Sequence, residues 1–562
     1  MARLTPLAKG LITVAVLGSA TAVAWHFGLK DIVQRMSNSQ PMSGADAGQR
    51  TDVTATSGKA TPSAPEKVSG TLGSNGNPLK VSIVSFHGYA PALVANGKSL
   101  TTQSGSIFDR QGVQVKLVIQ DDIPTLSTIF ESKAAHCAWR TSDFWAQEQP
   151  NLRNAGLDAR AVMVVDNTQG ADAIITRDPA IKSVEDLAGR NIAMLQFTPS
   201  HGMVIDALDS SSLTARKKAS VKMVFINAEE GTAGVRAALE AGNVDAAALW
   251  DPDLSLALKK IPGAKVVYST KTASNLIYDV MVCDQRVLQD PVNQAAIQGF
   301  VSGWMAGIDA AKAKPDDAVE ALVNTEEFFA LLAKDQGKPF IKSLFNNLVW
   351  TGLEDNARIL GLAGGTNHYE RVYRRFDGIY RAAGALANPK SPVIEPQDSV
   401  DLRYIKTLLD KNKAAQQAAT KPEYSFSDTG REAAASKEAT VTKPVRVGFA
   451  SGSAELTKRA QKTIDDEMVP FIENNGSAYF EISGNTDATG ARDTNMRLSQ
   501  ARAQAVVNYL VSQWEFDRAR FKILGNGPDK PLCDERNAAA EELTVEDCRA
   551  LNRTTRTAVL TR

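Results

Sequence analysis

From residue 78 to residue 411, short runs of β-branched and other apolar residues alternate with stretches of helical apolar spacing, and no other feature constrains the fold as much. The runs are Lys80 to Phe86, Val113 to Ile119, Ala161 to Val165, Asn191 to Leu195, Val221 to Ile226 and Asp245 to Leu249. Strands separated by helices form βαβ units with mostly parallel sheets. A segment of this length built from such units predicts an α/β domain of two lobes with a cleft between them. Ligands of such sheets gather outside the carboxyl ends of the strands, where backbone amides and helix N-termini converge.

The flanks read differently. Residues 30 to 77 consist largely of Ser, Thr, Gly, Ala and Pro with few large apolar residues, too little to bury in a core, and are expected to be a tether. Residues 412 to 441 are rich in Ala, Lys, Glu, Gln and Thr and carry no periodic apolar face beyond Tyr424 and Phe426. They are expected to be a second linker, helical in part. At 562 residues the chain exceeds what one hydrophobic core supports.

Gly10 to Leu29 contains no charged residue and is the one run long enough to cross a bilayer as a helix. Arg3 and Lys9 precede it, which leaves residues 1 to 9 in the cytoplasm and exports everything after Lys30. An uncleaved inner-membrane anchor is the preferred reading, because the apolar run continues through Trp25, Phe27 and Leu29. The alternative is a signal peptide cut at Ala22-Val23-Ala24, which would release the chain into the periplasm. With no Asp or Glu in the run, an ion-driven stator is rejected, since that machinery needs an intramembrane carboxylate.

Lysine plus arginine (63) balances aspartate plus glutamate (63), so no global field recruits nucleic acid. Four cysteines are present, and an oxidising periplasm permits disulfides among them. Cys533 and Cys548 share a polar loop, and a bridge there is expected to contribute about 3 kcal/mol. Cys137 and Cys283 lie in apolar surroundings and are expected to be buried, inert thiols. No cysteine or histidine spacing suggests a metal site, and no cofactor is expected.

In residues 442 to 562, Val445, Val447 and Phe449 alternate as a half-buried strand, with a helix from about Thr457 to Ile472. A second strand carries Ala478, Phe480 and Ile482, and a second helix runs from about Asp493 to Val511. Strands near Arg520 to Leu524 and Arg556 to Thr561 complete a small βαβαββ sandwich of α+β class. Within it stand Gly484-Asn485-Thr486-Asp487, Gly490, Asn495, Leu498-Ser499, Arg502-Ala503, Gly525-Asn526-Gly527, Pro531 and Asn552-Arg553. In order and spacing this set resembles the OmpA-like peptidoglycan-binding domains. The resemblance implies a place in the envelope of a diderm bacterium and a ligand in the diaminopimelate-containing stem peptide. A diaminopimelate centre is a zwitterion, which Asp487 and Arg502 would hold as acid and base, with Thr486 and Asn495 adding neutral hydrogen bonds. Asn485 replaces the family's usual histidine and Thr554 stands where a second arginine is common. The competing reading is that Asp487 and Arg502 merely pair with each other, or that Asp487 caps a helix.

The region from 78 to 411 carries Gly88-Tyr89-Ala90-Pro91, Gly170-Ala171-Asp172, Val184-Glu185-Asp186-Leu187-Ala188-Gly189, Ser200-His201, Gly242-Asn243-Val244-Asp245-Ala246-Ala247 and Trp250-Asp251-Pro252. These pieces resemble the periplasmic solute-binding proteins of the nitrate, taurine and aliphatic sulfonate class, whose type II fold is two-lobed. The resemblance implies a solute held between the lobes by Tyr89, Thr141, Ser142, Thr198, Ser200, His201 and Trp250. Thr198, Ser200 and His201 at a helix N-terminus would favour an oxyanion, although a plain N-cap explains Ser200 equally well. Asp143, Asp172 and Asp251 oppose an anion unless paired or turned outward.

The combination predicts a non-enzymatic envelope protein that grips peptidoglycan and binds a small solute for ABC-type uptake, with a permease as partner, or for sensing. A structural membrane-to-wall linker with a ligand-free lobe pair is the alternative. An enzyme of the thiamine-pyrimidine-synthase kind is disfavoured, because that chemistry needs a cysteine-rich motif and a cofactor lysine that this sequence lacks.

Overall fold

The computed structural model describes residues 69–561 apart from 383–385, 387 and 389. The membrane-helix reading over residues 10–29 and most of the tether fall outside the described residues. Among the described residues no helix is long and apolar enough to cross a membrane.

Three sheets organise the described residues. The first lobe is built on strands β1 (Leu79–Ile83), β2 (Val115–Ile119), β3 (Cys137–Thr141), β4 (Ala159–Thr168), β10 (Tyr278–Asp284) and β11 (Leu348–Trp350), in the order β11-β4-β10-β3-β1-β2. The second lobe uses β5 (Asp172–Thr176), β6 (Asn191–Leu195), β7 (Lys222–Ile226), β8 (Ala246–Trp250) and β9 (Lys265–Ser269), in the order β7-β6-β8-β5-β9. The chain passes between lobes twice, after β4 and before β10. Both sheets are mixed rather than mostly parallel: β1 pairs in parallel with β2 and β3, whereas β10 runs antiparallel to β3 and β4, and β5 runs antiparallel to β8 and β9. The antiparallel strands are the ones on either side of the two crossings, where the chain returns to a sheet it has left.

The alternation of buried side chains explains these elements. Every residue of β10 (YDVMVCD) is buried, as expected of a central strand covered on both faces. Against the first-lobe sheet lies helix α1 (Ser142–Asn154) and against the second-lobe sheet helix α2 (Pro199–Asp209), with α3 (Gln294–Ala313) and α4 (His368–Ala382) farther along the chain. In α3, Gly299, Gly303 and Gly307 face backbone or aromatic neighbours; a Cβ at Gly307 would lie 2.5 Å from the Pro91 carbonyl oxygen. Close helix contact therefore requires glycine there.

The cysteine reading needs correction. Cys137 and Cys283 are not inert thiols but form a disulfide, as do Cys533 and Cys548. Cys137 and Cys283 are direct partners in the antiparallel pairing of β3 with β10, which 146 residues of sequence separation conceal.

The segment read as a linker over 412–441 is helical in part and packed rather than free. Helices α5 (Lys413–Ala419) and α6 (Asp428–Ala435) bury Ala415, Ala419 and Ala434. The Phe426 ring meets Tyr479 edge-on at 5.3 Å. The last domain follows as β12 (Thr442–Val445), β13 (Tyr479–Asn485), helix α7 (Arg492–Trp514), β14 (Phe521–Gly527) and β15 (Thr555–Leu560), with sheet order β12-β15-β13-β14. It packs on the two-lobed region: the Asn275 amide donates to the Asn474 carbonyl at 3.0 Å, and the Thr442 amide to the Glu185 carboxylate at 2.9 Å.

Candidate functional site

A cavity of about 40 Å³ lies between the lobes, where the ends of β3, β4, β6 and β8 meet the starts of β5 and β10. Its apolar wall combines the aromatic Phe86, Trp139, Phe144, Phe197 and Trp250 with the aliphatic Val84, Leu126, Pro199 and Ile277. Its polar wall comprises Arg140, Thr141, Thr168, Asp172, Thr198 and Asp279. Phe197 adopts a left-handed backbone (φ 55°) in the turn before α2. Such a conformation in a non-glycine residue costs on the order of 1–3 kcal/mol and is retained mostly at functional turns.

Of the seven residues expected to hold the solute, Thr141, Thr198 and Trp250 line the cavity. Tyr89 stands behind it and donates its hydroxyl to Asp279 Oδ2 at 2.8 Å, so it acts through that carboxylate. Ser142 Oγ accepts from the Tyr278 amide at 3.4 Å. Ser200 is buried without lining the cavity. His201 Nδ1 accepts from the Phe197 amide at 3.3 Å, its ring lies 5.1 Å from Phe225, and burial lowers its pKa to about 4. A neutral, committed imidazole offers an anion little. Thr198 likewise donates its hydroxyl to the Leu195 carbonyl at 2.8 Å.

Arg140 is the cavity's one cationic wall residue, and it is committed elsewhere. Its Nε and Nη2 fork onto Glu148, Nη2 also reaches the Leu126 carbonyl at 3.1 Å, and Nη1 donates to the Trp139 carbonyl at 2.7 Å. The carboxylates are not neutralised in this way. Asp143 and Asp166 are fully buried; Asp143 has the Thr141 hydroxyl and the Phe144 amide beside it, and Asp166 has no hydrogen-bond partner for either carboxylate oxygen among the described residues. Burial is the main cause that pushes Asp143 up to about 6 and Asp279 up to about 7. Burial, together with neighbouring carboxylates, also raises Asp166 and Asp172 well above the usual range. Asp251, held by Ser255 and Asn347, is raised by burial to about 6.

These shifts fix a stability trend. Because the folded-state pKa values exceed the unfolded ones, the folded chain keeps protons that the unfolded chain releases above about pH 4. The associated stability is fully present below pH 4 and is lost as the pH rises through 6 to 7. Asp279→Asn, which keeps an acceptor for Tyr89 and removes a buried charge, is expected to raise stability at pH 8 by on the order of 1–2 kcal/mol. Thermal melts of both proteins from pH 5 to pH 8 check this: the variant's advantage should shrink toward pH 5. A variant less stable than wild type at pH 8 would contradict the charge assignment.

Sequence reasoning overlooked Asp279, Trp139, Arg140 and Thr168. One signal was available: Asp279 is an ionisable residue inside the otherwise apolar run from Tyr278 to Cys283.

In the last domain, β13 delivers Thr486 and Asp487 to a loop beside the start of α7. Gly484 and Gly525 let that helix rest on the sheet: a Cβ would lie 2.1 Å from the Ser499 carbonyl oxygen and 2.6 Å from the Gln500 amide nitrogen. Asp487 pairs with Arg553 at 2.6 Å, not with Arg502, and accepts from the Thr489 amide at 2.9 Å. Partial burial would raise its pKa, but these donors outweigh that and hold it below the usual range. Arg502 donates to the carbonyls of Ser453 and Ala450 at 3.0 and 3.2 Å, with its guanidinium 5.0 Å from the Phe449 ring centre. Thr486 donates to the Asp487 carbonyl at 2.9 Å, and Asn495 to the Thr489 carbonyl at 2.9 Å. Arg553 was quoted in the sequence pattern without a role, and its partnership with Asp487 was not foreseen.

Residues 448–544 match the OmpA family model, and residues 100–318 match the model described as NMT1/THI5 like. The chain joins an OmpA-family domain to an NMT1/THI5-like domain. The OmpA-family domain is similar to a protein of Escherichia coli K12 described as lipoprotein YiaD, 37% identical over 17% of this chain and 43% of the relative. The NMT1/THI5-like domain is similar to an Escherichia coli K12 protein described as an aliphatic sulfonates-binding protein, 29% identical over 33% of this chain and 52% of the relative. Among solved structures, the periplasmic aliphatic sulphonate binding protein SsuA from Escherichia coli aligns at 17% identity and a TM-score of 0.44, covering 59% of this chain and 98% of that one. The chain thus spans about half the length of the curated relatives it matches.

Proposed function

We propose that this is an envelope protein that captures a small solute between its two lobes while its OmpA-family domain holds the peptidoglycan stem peptide. The observation that carries the reading is the cavity walled by both lobes of a chain whose other domain matches the OmpA family. A solute touching Thr141 and Asp279 on one side and Asp172 and Trp250 on the other would bind best when the lobes are together, the coupling that solute capture requires. The chain's role is binding, and delivery to an ABC-type permease is the use proposed for it. Residues 10–29 supply the proposed inner-membrane anchor, which leaves the remaining domains in the periplasm.

At the wall, Asp487 would take the diaminopimelate ammonium and Arg502 its carboxylate, with Thr486 and Asn495 beside them. Arg553 holds Asp487 ionised and positions it. Arg502 has a planar fork suited to a carboxylate and is already oriented by two backbone carbonyls.

Native mass spectrometry of protein purified under non-denaturing conditions from its own cells tests the solute half. A small-molecule adduct is expected on wild type and should be absent from a folded Trp139→Ala, Trp250→Ala double variant. An adduct that survives those substitutions places the solute elsewhere and contradicts the reading.

A further inference from the structure

Resting on the reading of the cleft as a solute site, we infer that its solute is a small organic cation, an alkylammonium group held by aromatic faces and by Asp172 and Asp279, rather than an oxyanion.

Three independent features of the cavity point this way. The first is the wall itself. Trp139, Trp250, Phe86, Phe144 and Phe197 surround a space of about 40 Å³. Ring faces carry partial negative charge and attract ammonium groups, most strongly where water is excluded. Room for about three water-sized centres suits a compact methylated or alkyl-substituted nitrogen.

The second feature is the sign of the charge. Asp172 and Asp279 line the cavity, Asp166 and Asp143 stand close behind, and the Arg140 guanidinium is occupied by Glu148 and by the Leu126 and Trp139 carbonyls. An anion entering here would meet several carboxylates and no free cation.

The third feature is unfilled hydrogen-bonding capacity. Trp139 Nε1 is buried on the cavity wall without a partner among the described residues, whereas the Thr141 and Thr168 hydroxyls stand beside the Asp143 and Asp172 carboxyls. A buried indole N–H is normally satisfied, so this one points to an acceptor on a ligand. The two hydroxyls can accept from an N–H⁺ or pair with a hydroxyl on the solute. The Trp139 N–H suits an oxygen at the solute's far end.

Burial raises the pKa of Asp172 and Asp279, and a bound cation would reverse that. Binding therefore releases protons and strengthens as the pH rises from 5.5 to 8. The groups that face this equilibrium are Tyr89, Arg140, Asp143, Asp166, Asp172, Asp251 and Asp279.

The test is isothermal titration calorimetry of the full chain with four probes: tetramethylammonium, n-butylammonium, butan-1-ol and butane-1-sulfonate. Binding of at least one ammonium probe, at least tenfold tighter than the alcohol or the sulfonate, is the expected result. Asp172→Asn with Asp279→Asn, a nearly isosteric pair of changes, should weaken that probe tenfold or more while the melting temperature at pH 8 is kept or raised. A sulfonate that binds as tightly as the ammonium probes overturns the inference and leaves solute capture standing. Ammonium binding unchanged in the folded Asn variant also overturns it, as does failure of both ammonium probes to bind. The adduct carried from cells reports separately on whether the cleft holds any solute.

Discussion

A chain in which Cys137 and Cys283 are both alanine unfolds with about 4–5 kcal/mol less resistance than wild type under oxidising conditions. The bridge spans 146 residues, and closing a loop of that length restricts the unfolded chain strongly in the entropy model. The loop contains the whole second lobe, so the bond ties together the two parts of the first lobe that flank it. It also bears on the cleft. Cys137 faces Cys283 at one end of the β3/β10 pair, and Thr141 faces Asp279 at the other. Denaturant titration of the double variant, with reduced wild type alongside, measures the effect. Midpoints that coincide with oxidised wild type would show that the bridge does not contribute.

Asp487→Ala and Arg502→Ala are each expected to remove at least nine-tenths of peptidoglycan binding. Each deletes one half of the charge complement that a zwitterion needs, and losing a hydrogen bond to a charged group typically costs about 1.5–3 kcal/mol. The two changes have different structural side effects. Without Asp487, Arg553 keeps Glu546 as a partner at 2.5 Å. Without Arg502, the Ser453 and Ala450 carbonyls lose their donor, so this variant needs a melting curve to show that it is folded. Arg553→Ala is expected to weaken binding less, because it acts on Asp487. Equal binding by all three folded variants would remove the site from this loop.

The sequence made the architecture legible where side-chain pattern and burial coincide. Asn191–Leu195 and the strand pair of the last domain lie where β-branched alternation put them, and the signature glycines Gly484 and Gly525 mark a helix resting on a sheet. Strands β5, β9 and β10 are not evident from the sequence, because polar residues in them, such as Asp172 and Asp279, break an apolar run when read along the chain alone. Those interruptions are the cleft itself. The pairing of Cys137 with Cys283 was hidden for a related reason: it depends on two strands meeting across an entire inserted lobe. The segment around Phe426 read as free linker because its few apolar side chains find their partners, Tyr479 among them, only in another domain.

The helix N-terminus read as an anion site shows how much of a cleft's charge lies outside any one local segment. Thr198, Ser200 and His201 do open a helix, but their polar atoms turn to Leu195 and Phe197 or into the protein, and the cavity wall beside them is aromatic and acidic. The sign of a site is a sum over strands distant in sequence, and it emerges only when they are assembled.

The central claim joins a wall-binding domain to a solute-binding cleft, and co-sedimentation of the full-length wild-type chain with purified diaminopimelate-type peptidoglycan tests it most directly. The account predicts that the protein pellets with the wall material and returns to the supernatant as free diaminopimelate is added. Protein that stays in the supernatant at every peptidoglycan concentration, or that pellets regardless of competitor, would contradict it.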